Sequence, residues 1–262
     1  MKIAHSSVLE NPDAFDKLES EIGINLMLRH PNIVELVAFT NEGERFMIAF
    51  EFMDGGTLSS ILGGRDKNKN EPPLSRAARY QIAIDVVIGL RYLHQKLLLH
   101  RDLKSENILF CSCPGRSVFP FVMKISDFGL SVVQRGDDLT SYLSVPFIDQ
   151  VAGTLFYLAP ELLAAEHDAV FPYTKATDVY SVALILWELM SYEMPFKRFE
   201  KRADEFRAHI KAGKREEVPD TPAILRDVVV RAWHQDPSKR PSVEEMKVLM
   251  EQGLAVELAD KN

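Results

Sequence analysis

Cysteine is scarce in this chain of 262 residues. Its two cysteines, Cys111 and Cys113, are too few for a disulfide scaffold, and without further Cys or clustered His they make a poor zinc site. They read as reduced thiols in a hairpin insertion of a cytoplasmic protein. Cationic charge is not in excess either: 31 Lys and Arg stand against 38 Asp and Glu, a net charge of -7. That balance argues against nucleic acid or an anionic membrane as the main partner. No apolar run is long enough to span a bilayer. The most apolar stretch, Val179 to Met190, is too short for that and reads as a buried helix opened by Asp178. A signal-peptide pattern, internal repeats and low-complexity tracts are also missing, and the polar patch from Gly63 to Pro73 reads as a surface loop. What is present, 46% apolar and 26% charged residues, suits a globular protein with one large domain or two lobes sharing a cleft.

The most informative stretch is His100-Arg101-Asp102-Leu103-Lys104-Ser105-Glu106-Asn107. It follows a helix-like run ending Leu90-Arg91-Tyr92-Leu93-His94 and precedes the strand-like Ile108-Leu109-Phe110. Asp102, Lys104 and Asn107 therefore share one short loop between apolar elements, an arrangement that suggests a site rather than core. Phosphoryl transfer asks for such a set: a carboxylate to accept the hydroxyl proton, a cation for the moving phosphate, and an amide oxygen to help hold magnesium. A lone Asp102 would more often be a solvated turn residue. A second motif reverses that reading. Asp127-Phe128-Gly129 follows the strand-like Val122-Met123-Lys124-Ile125, and Ala159-Pro160-Glu161 lies further on.

With these three motifs in this order and spacing the chain resembles the eukaryotic protein kinases over nearly its whole length. The resemblance implies an α+β, two-lobed kinase-like fold with a truncated N-lobe sheet and a mainly helical C-lobe. Residues 1–53 would form a partial N-lobe and hinge, and 54–262 the C-lobe. It assigns Asp102 as catalytic base, Lys104 as phosphate contact, Asn107 as ligand of a second magnesium and Asp127 as holder of the main one. The cofactors implied are ATP and Mg2+. Lys2, in Met1-Lys2-Ile3-Ala4, falls where kinases place the lysine for the α- and β-phosphates. Glu21, beside the apolar stripe Phe15, Leu18, Ile22 and Leu26 of a helix starting at Asn11-Pro12, would pair with it. Phe46 to Phe52 reads as a strand, with Phe50 guarding the back of the nucleotide pocket. Glu51-Phe52-Met53 forms the hinge against adenine, Leu109 is assigned to the nucleotide as well, and Asp54-Gly55-Gly56 turns into the larger lobe.

Ser75 is expected to cap a helix running to about Leu97. Asp178 should anchor the His-Arg-Asp loop, and Arg240 should pair with Glu161. Arg101 is what kinases use to receive a phosphorylated activation segment, for which Thr140, Ser141, Tyr142 and Ser144 supply hydroxyls in a polar, loop-like stretch. Thr154 matches the residue that hydrogen-bonds the catalytic Asp and Lys in serine/threonine kinases. Asn25 departs from the pattern, standing where a stacked column with Leu36, Phe128 and His100 usually has an apolar residue. Lys104 and Thr154 favour serine/threonine substrates, and the surroundings of Asp178, Trp187 and Trp233 resemble the tyrosine-kinase-like group. No Gly-rich loop precedes Met1, so the expectation is a fragment of a longer kinase. The alternatives are a true truncation with weak ATP binding, or a pseudokinase serving as a binding module. A small-molecule kinase fits less well with Gly153-Thr154 and Ala159-Pro160-Glu161, which shape a peptide platform.

Overall fold

The computed structural model describes residues 2–4, 12–42, 45–63, 74–134, 141–144, 154–163, 170–219 and 221–260. Three strands, β1 (Lys2–Ala4), β2 (Leu36–Glu42) and β3 (Arg45–Phe50), form an antiparallel sheet in the order β1-β3-β2. Lys2 lies opposite Ile48, and Leu36 opposite Phe50. Helix α1 (Pro12–Leu26) joins this sheet because its apolar stripe needs cover. Ile22 is buried with Ile48, and Leu18, Leu36 and Phe50 pack around them.

The segment after α1 stitches this sheet to the rest of the molecule. Val34 N–H donates to the Ile125 carbonyl at 2.9 Å, Ile125 N–H donates to the Asn32 carbonyl at 2.9 Å, and the Asn32 side chain donates to the Met123 carbonyl at 2.9 Å. Met123 and Ile125 belong to a second antiparallel sheet of β4 (Gly56–Thr57), β6 (Ile108–Ser112) and β7 (Phe121–Ile125), in the order β4-β6-β7. Cys111 and Cys113 are free thiols on its hairpin. At the turn into β4, a side chain on Gly55 would sit 2.0 Å from the Phe110 ring, so only glycine lets the backbone pass there.

The remainder is mainly helical: α2 (Leu58–Gly63), α3 (Arg76–Gln95), α4 (Pro160–Leu163), α5 (Lys175–Ser191), α6 (Ala203–Lys211), α7 (Ala223–Ala232) and α8 (Val243–Ala259). Ser75 caps α3, its hydroxyl accepting from Ala78 N–H at 3.1 Å. The helix stops at Gln95, two residues before the expected Leu97, which has φ 56. α5 runs through the core and is buried all round from Thr177 to Met190.

Three expectations need correction. α5 opens at Lys175 rather than after Asp178, because the Thr177 hydroxyl accepts from Thr174 N–H at 3.2 Å and closes the first turn. Asp178 is thereby released from capping duty. The strand from Phe46 spans Arg45–Phe50, so Glu51 and Phe52 lie beyond it. Ser141, Tyr142 and Ser144 belong to a strand, β9 (Ser141–Ser144), paired antiparallel with β10 (Val170–Tyr173). The partner strand is rich in β-branched and aromatic residues but lies far along the chain, so local polarity did not reveal the pairing. Thr140 and most of the stretch from Gly63 to Pro73 lie outside the described residues.

Candidate active site

The loop His100–Asn107 enters from β5 (Leu98–Leu99), which pairs with β8 (Val132–Val133). His100 is fully buried; its Nε2 meets the Ser126 carbonyl at 3.0 Å, and its ring lies 5.2 Å from that of Phe128. The two motifs of the sequence are thus in contact. Arg101 takes φ 71, a left-handed conformation costly for a side chain of its size. What holds it there is Asp178, fully buried at the start of α5. One carboxylate oxygen accepts from Arg101 N–H at 3.2 Å and Tyr173 Oη at 2.8 Å. The other accepts from His100 N–H at 3.2 Å and meets His94 Nε2 at 2.9 Å. Burial by itself would raise the pKa of this carboxyl, but the hydrogen bond and charge of His94, with those of its other neighbours, hold it below the ordinary range.

Beyond Arg101 the polar groups converge. The Lys104 ammonium donates to Asp102 at 2.9 and 3.2 Å. Asn107 Nδ2 donates to the Asp102 carbonyl at 2.8 Å and to its carboxylate at 2.9 Å. Asp102 and Asn107 are both buried. The amide nitrogen of Asn107 being committed to Asp102, its oxygen is the atom left for a ligand. Across from it, Asp127 stands at φ 66. Its Oδ1 and Glu21 Oε2 both lie 3.5 Å from the point where Gly129 would carry a side chain, so a carboxylate from α1 approaches the Asp-Phe-Gly turn.

A cavity of about 310 Å³ opens here, its walls including Val34, Phe50, Met53, Leu109, Asn107 and Asp127. A volume of that order suits a nucleotide-sized ligand. Phe50 lines it while packing against the Ile22 and Ile48 pair. Glu51 lines it too, but its carboxylate is bound by Lys124 at 2.7 Å and accepts from Glu35 N–H at 2.8 Å. Glu51 is a brace, and what this segment offers a ligand is main chain. For Lys2 the structure describes the backbone beside β3. The expected Lys2–Glu21 pair and the hydroxyl of Thr154 lie outside the described residues.

Asn25 lines the same cavity and is buried. Its Nδ2 donates to the Glu21 carbonyl at 2.7 Å, and its Oδ1 has no hydrogen-bond partner among the described residues. A buried acceptor left unmade costs about 1–3 kcal/mol. Asn25→Leu is expected to raise the melting temperature by a few degrees, about 2–4 °C per kcal/mol for a domain of this size, and to raise any transfer rate. An unchanged or lower rate would show that Asn25 does not restrain α1.

Several residues that shape the loop carried no motif of their own. Ser105 Oγ donates to Glu188 at 2.9 Å and Tyr157 Oη donates to its other oxygen at 2.7 Å, joining the loop to the turn Thr154–Tyr157 through α5. The signal was a glutamate inside the most apolar run of the chain. Burial pushes the Glu188 carboxyl up to about 7 against the two hydroxyl donors, which lower it. Between the ordinary 4.5 and about 7 the folded protein keeps a proton that the unfolded chain has lost, so this group's contribution to stability falls as pH rises. Glu188→Gln is expected to flatten the melting temperature between about pH 5 and 7. A variant with the wild-type slope would assign that slope elsewhere.

The expected pair of Glu161 and Arg240 is present, with two contacts of 2.7 Å. Arg240 also donates to the carbonyls of Ala176 and His234, so the guanidinium ties the start of α5 to α4. Such a buried pair fixes geometry more surely than it adds stability. Arg101 differs: its Nε is buried without a partner among the described residues, and burial lowers its pKa although Tyr173 and Asp178 oppose this.

Residues 1–249 match the family model for the protein kinase domain. The chain belongs to the protein kinase family. Among its relatives is the serine/threonine/tyrosine-protein kinase HT1 of Arabidopsis thaliana, 30% identical over 246 residues, which covers 90% of this chain and 54% of that protein. The dual specificity protein kinase shkB of Dictyostelium discoideum is 29% identical over 236 residues, 89% of this chain and 33% of its own. A putative serine/threonine-protein kinase/receptor, R831 of Acanthamoeba polyphaga mimivirus, is 32% identical over 229 residues, 85% of this chain and 13% of its own. The kinase domain thus spans about half or less of the length of these relatives. No helix among the described residues is long and apolar enough to cross a membrane.

Proposed function

We propose that this kinase domain transfers the γ-phosphate of ATP to serine and threonine hydroxyls of proteins. The observation that carries the reading is the cluster of Asp102, Lys104 and Asn107 on one loop, whose Asn107 lines a nucleotide-sized cavity together with Asp127. In this reading Asp102 takes the proton of the incoming hydroxyl and Lys104, already beside it, steadies the charge of the transferred group. Met53 and the main chain at Glu51 receive the adenine and Leu109 packs on its face, while Lys2 and Glu21 hold the α- and β-phosphates. Residues 1–53 act as a partial N-lobe with its hinge, and 54–262 as the C-lobe.

Magnesium, when bound, neutralises the phosphate oxygens on which charge develops. Among the described residues no group of three or more His, Cys, Asp and Glu gathers round one point. Asp127 and the free amide oxygen of Asn107 are the ligands this chain offers. One or two protein ligands, completed by phosphate and water, is how magnesium is commonly held. The fit is good.

Serine/threonine preference rests on the likeness of Lys104 and Thr154 to their counterparts in serine/threonine kinases; of the relatives, R831 is a putative serine/threonine-protein kinase/receptor, whereas HT1 is a serine/threonine/tyrosine-protein kinase. The surroundings of Asp178, Trp187 and Trp233 support membership of the tyrosine-kinase-like group, and the two reduced cysteines a cytoplasmic location. Arg101, with a buried and unmatched Nε, is suited to a phosphate on Thr140, Ser141, Tyr142 or Ser144, placed there by an upstream kinase. The test is magnesium- and ATP-dependent labelling of a generic protein substrate by the full-length protein, followed by phosphoamino-acid analysis. Phosphoserine and phosphothreonine are expected. No transfer by protein that is folded and binds nucleotide would overturn the reading in favour of a binding module.

A further inference from the structure

A cavity of about 570 Å³ lies at the C-terminal end of α5. Asp178 and Ser191 bracket α5 from its catalytic-loop end to this one, thirteen residues apart, or about 20 Å at 1.5 Å per residue. One wall of the cavity is Arg79 of α3. Its side chain is 7% exposed, yet no carboxylate among the described residues pairs with it. Its Nε donates to the Leu74 carbonyl at a long 3.3 Å, and its Cζ stands 5.5 Å from the centre of the Tyr192 ring. Arginine stays charged in proteins and carries five N–H donors in a planar fork. Buried charges are ordinarily paired, and no acceptor for the other four donors is found among the described residues.

The surrounding charges narrow what the cavity would take. Glu216 does not serve Arg79, because it accepts from Phe196 N–H at 2.9 Å and is paired with Arg198. Lys197, exposed at the rim, adds a second cation without an ion pair among the described residues. Glu193 and Glu217 are also exposed at the rim, and two carboxylates there oppose a dianion far more than a single negative charge. Trp187, Met190, Met194 and Pro219 complete the lining and give an apolar surface beside the guanidinium. A planar carboxylate suits the arginine fork, which can grip both of its oxygens.

We infer that this cavity is a docking site for an acidic side chain of a partner or substrate protein, an Asp or Glu paired with Arg79 and flanked by apolar residues that cover Met194 and Pro219. The site is separate from the nucleotide cavity, so it would tether a protein without entering the chemistry. It does not depend on the transferase reading, because docking is measured as binding.

The experiment uses peptide pools of random sequence with one fixed central residue, Asp, Glu, Gln, Leu or phosphoserine, captured on the immobilised full-length protein. The Asp and Glu pools are expected to be retained at least tenfold over Gln, with enrichment of apolar flanking residues. Arg79→Met should abolish that preference, and Lys197→Ala should weaken it. If Arg79→Met lowers the melting temperature, Met194→Glu provides the same test from the half-buried wall. Equal retention of the Gln and Glu pools, or an acidic preference that survives both Arg79→Met and Met194→Glu, would overturn the assignment. Preference for phosphoserine over Asp and Glu would overturn its restriction to a carboxylate. Transfer to a substrate without acidic residues should be the same in wild type and Arg79→Met, which keeps docking distinct from catalysis.

Discussion

Asp102→Asn is expected to lower the transfer rate at saturating ATP by about 10²–10⁴-fold, the range of a lost general base, while the affinity for nucleotide changes little. The structure explains why the two effects separate. Asp102 receives the Lys104 ammonium and Asn107 Nδ2 on one carboxylate oxygen, and an asparagine oxygen in that place can keep both bonds. What it cannot keep is the negative charge that takes a hydroxyl proton. The cavity walls formed by Val34, Phe50, Met53 and Leu109 do not involve Asp102, so the proposed adenine end of the site is untouched. The measurement is a steady-state rate with a protein substrate beside a separate nucleotide-binding titration. A rate within a few fold of wild type would remove Asp102 from the role of base. A parallel loss of nucleotide affinity would show that the variant had damaged the site as a whole.

The second large effect belongs to a residue with no part in the chemistry. Asp178→Asn is expected to destabilise the domain by about 3–5 kcal/mol, the cost of breaking a buried charged partnership, and so to lower its melting temperature by roughly 6–20 °C. The wild-type carboxylate is met by four partners, His94 Nε2, His100 N–H, Arg101 N–H and Tyr173 Oη. An amide supplies one oxygen, and its NH₂ group must face two of those donors. Arg101 then loses the bond that holds its backbone in the left-handed region, and the loop carrying Asp102 relaxes. Activity should fall with stability, and thermal unfolding by circular dichroism reads the latter directly. The pH response gives an independent check. Asp178 is held below the ordinary carboxylate range, so its contribution is present above the unfolded value of about 3.8 and is lost as pH falls through the lower folded value. The variant should lose that part of the acid sensitivity. A melting temperature within a degree or two of wild type would mean the anchor is dispensable.

The contrast between Asp178 and Glu188, both on α5 and both buried, shows how environment decides a carboxyl's charge. Burial raises the Asp178 carboxyl, but the hydrogen bond and charge of His94, with His100 and the Tyr173 hydroxyl, outweigh it. Glu188 has two neutral hydroxyls and the charge of Glu106 nearby, and burial wins. One helix therefore carries an acid that strengthens the fold toward neutral pH and another that weakens it.

The linear sequence by itself determined the family, the loop that gathers Asp102, Lys104 and Asn107, and the supports that depend on local pattern. The His-Arg-Asp and Asp-Phe-Gly motifs, the Ser75 cap and the apolar stripe of α1 are short-range features, and residues a few positions apart specify them. The pairing of Arg240 with Glu161 came from resemblance and was also found. Tertiary structure alone decided what rests on distant partners. Whether Ser141–Ser144 is loop or strand depends on Val170–Tyr173, and whether Glu51 faces ligand or lysine depends on Lys124 in a different sheet. The start of α5 turned on a hydroxyl bond between Thr174 and Thr177 that frees Asp178 for the loop. Arg79 reads as an ordinary helix residue until the fold buries it beside a cavity and leaves it without a carboxylate among the described residues. Burial and pairing are properties of the packed chain: a side chain's cost or use depends on what the fold brings within a few ångströms of it, and sequence neighbours do not reveal that.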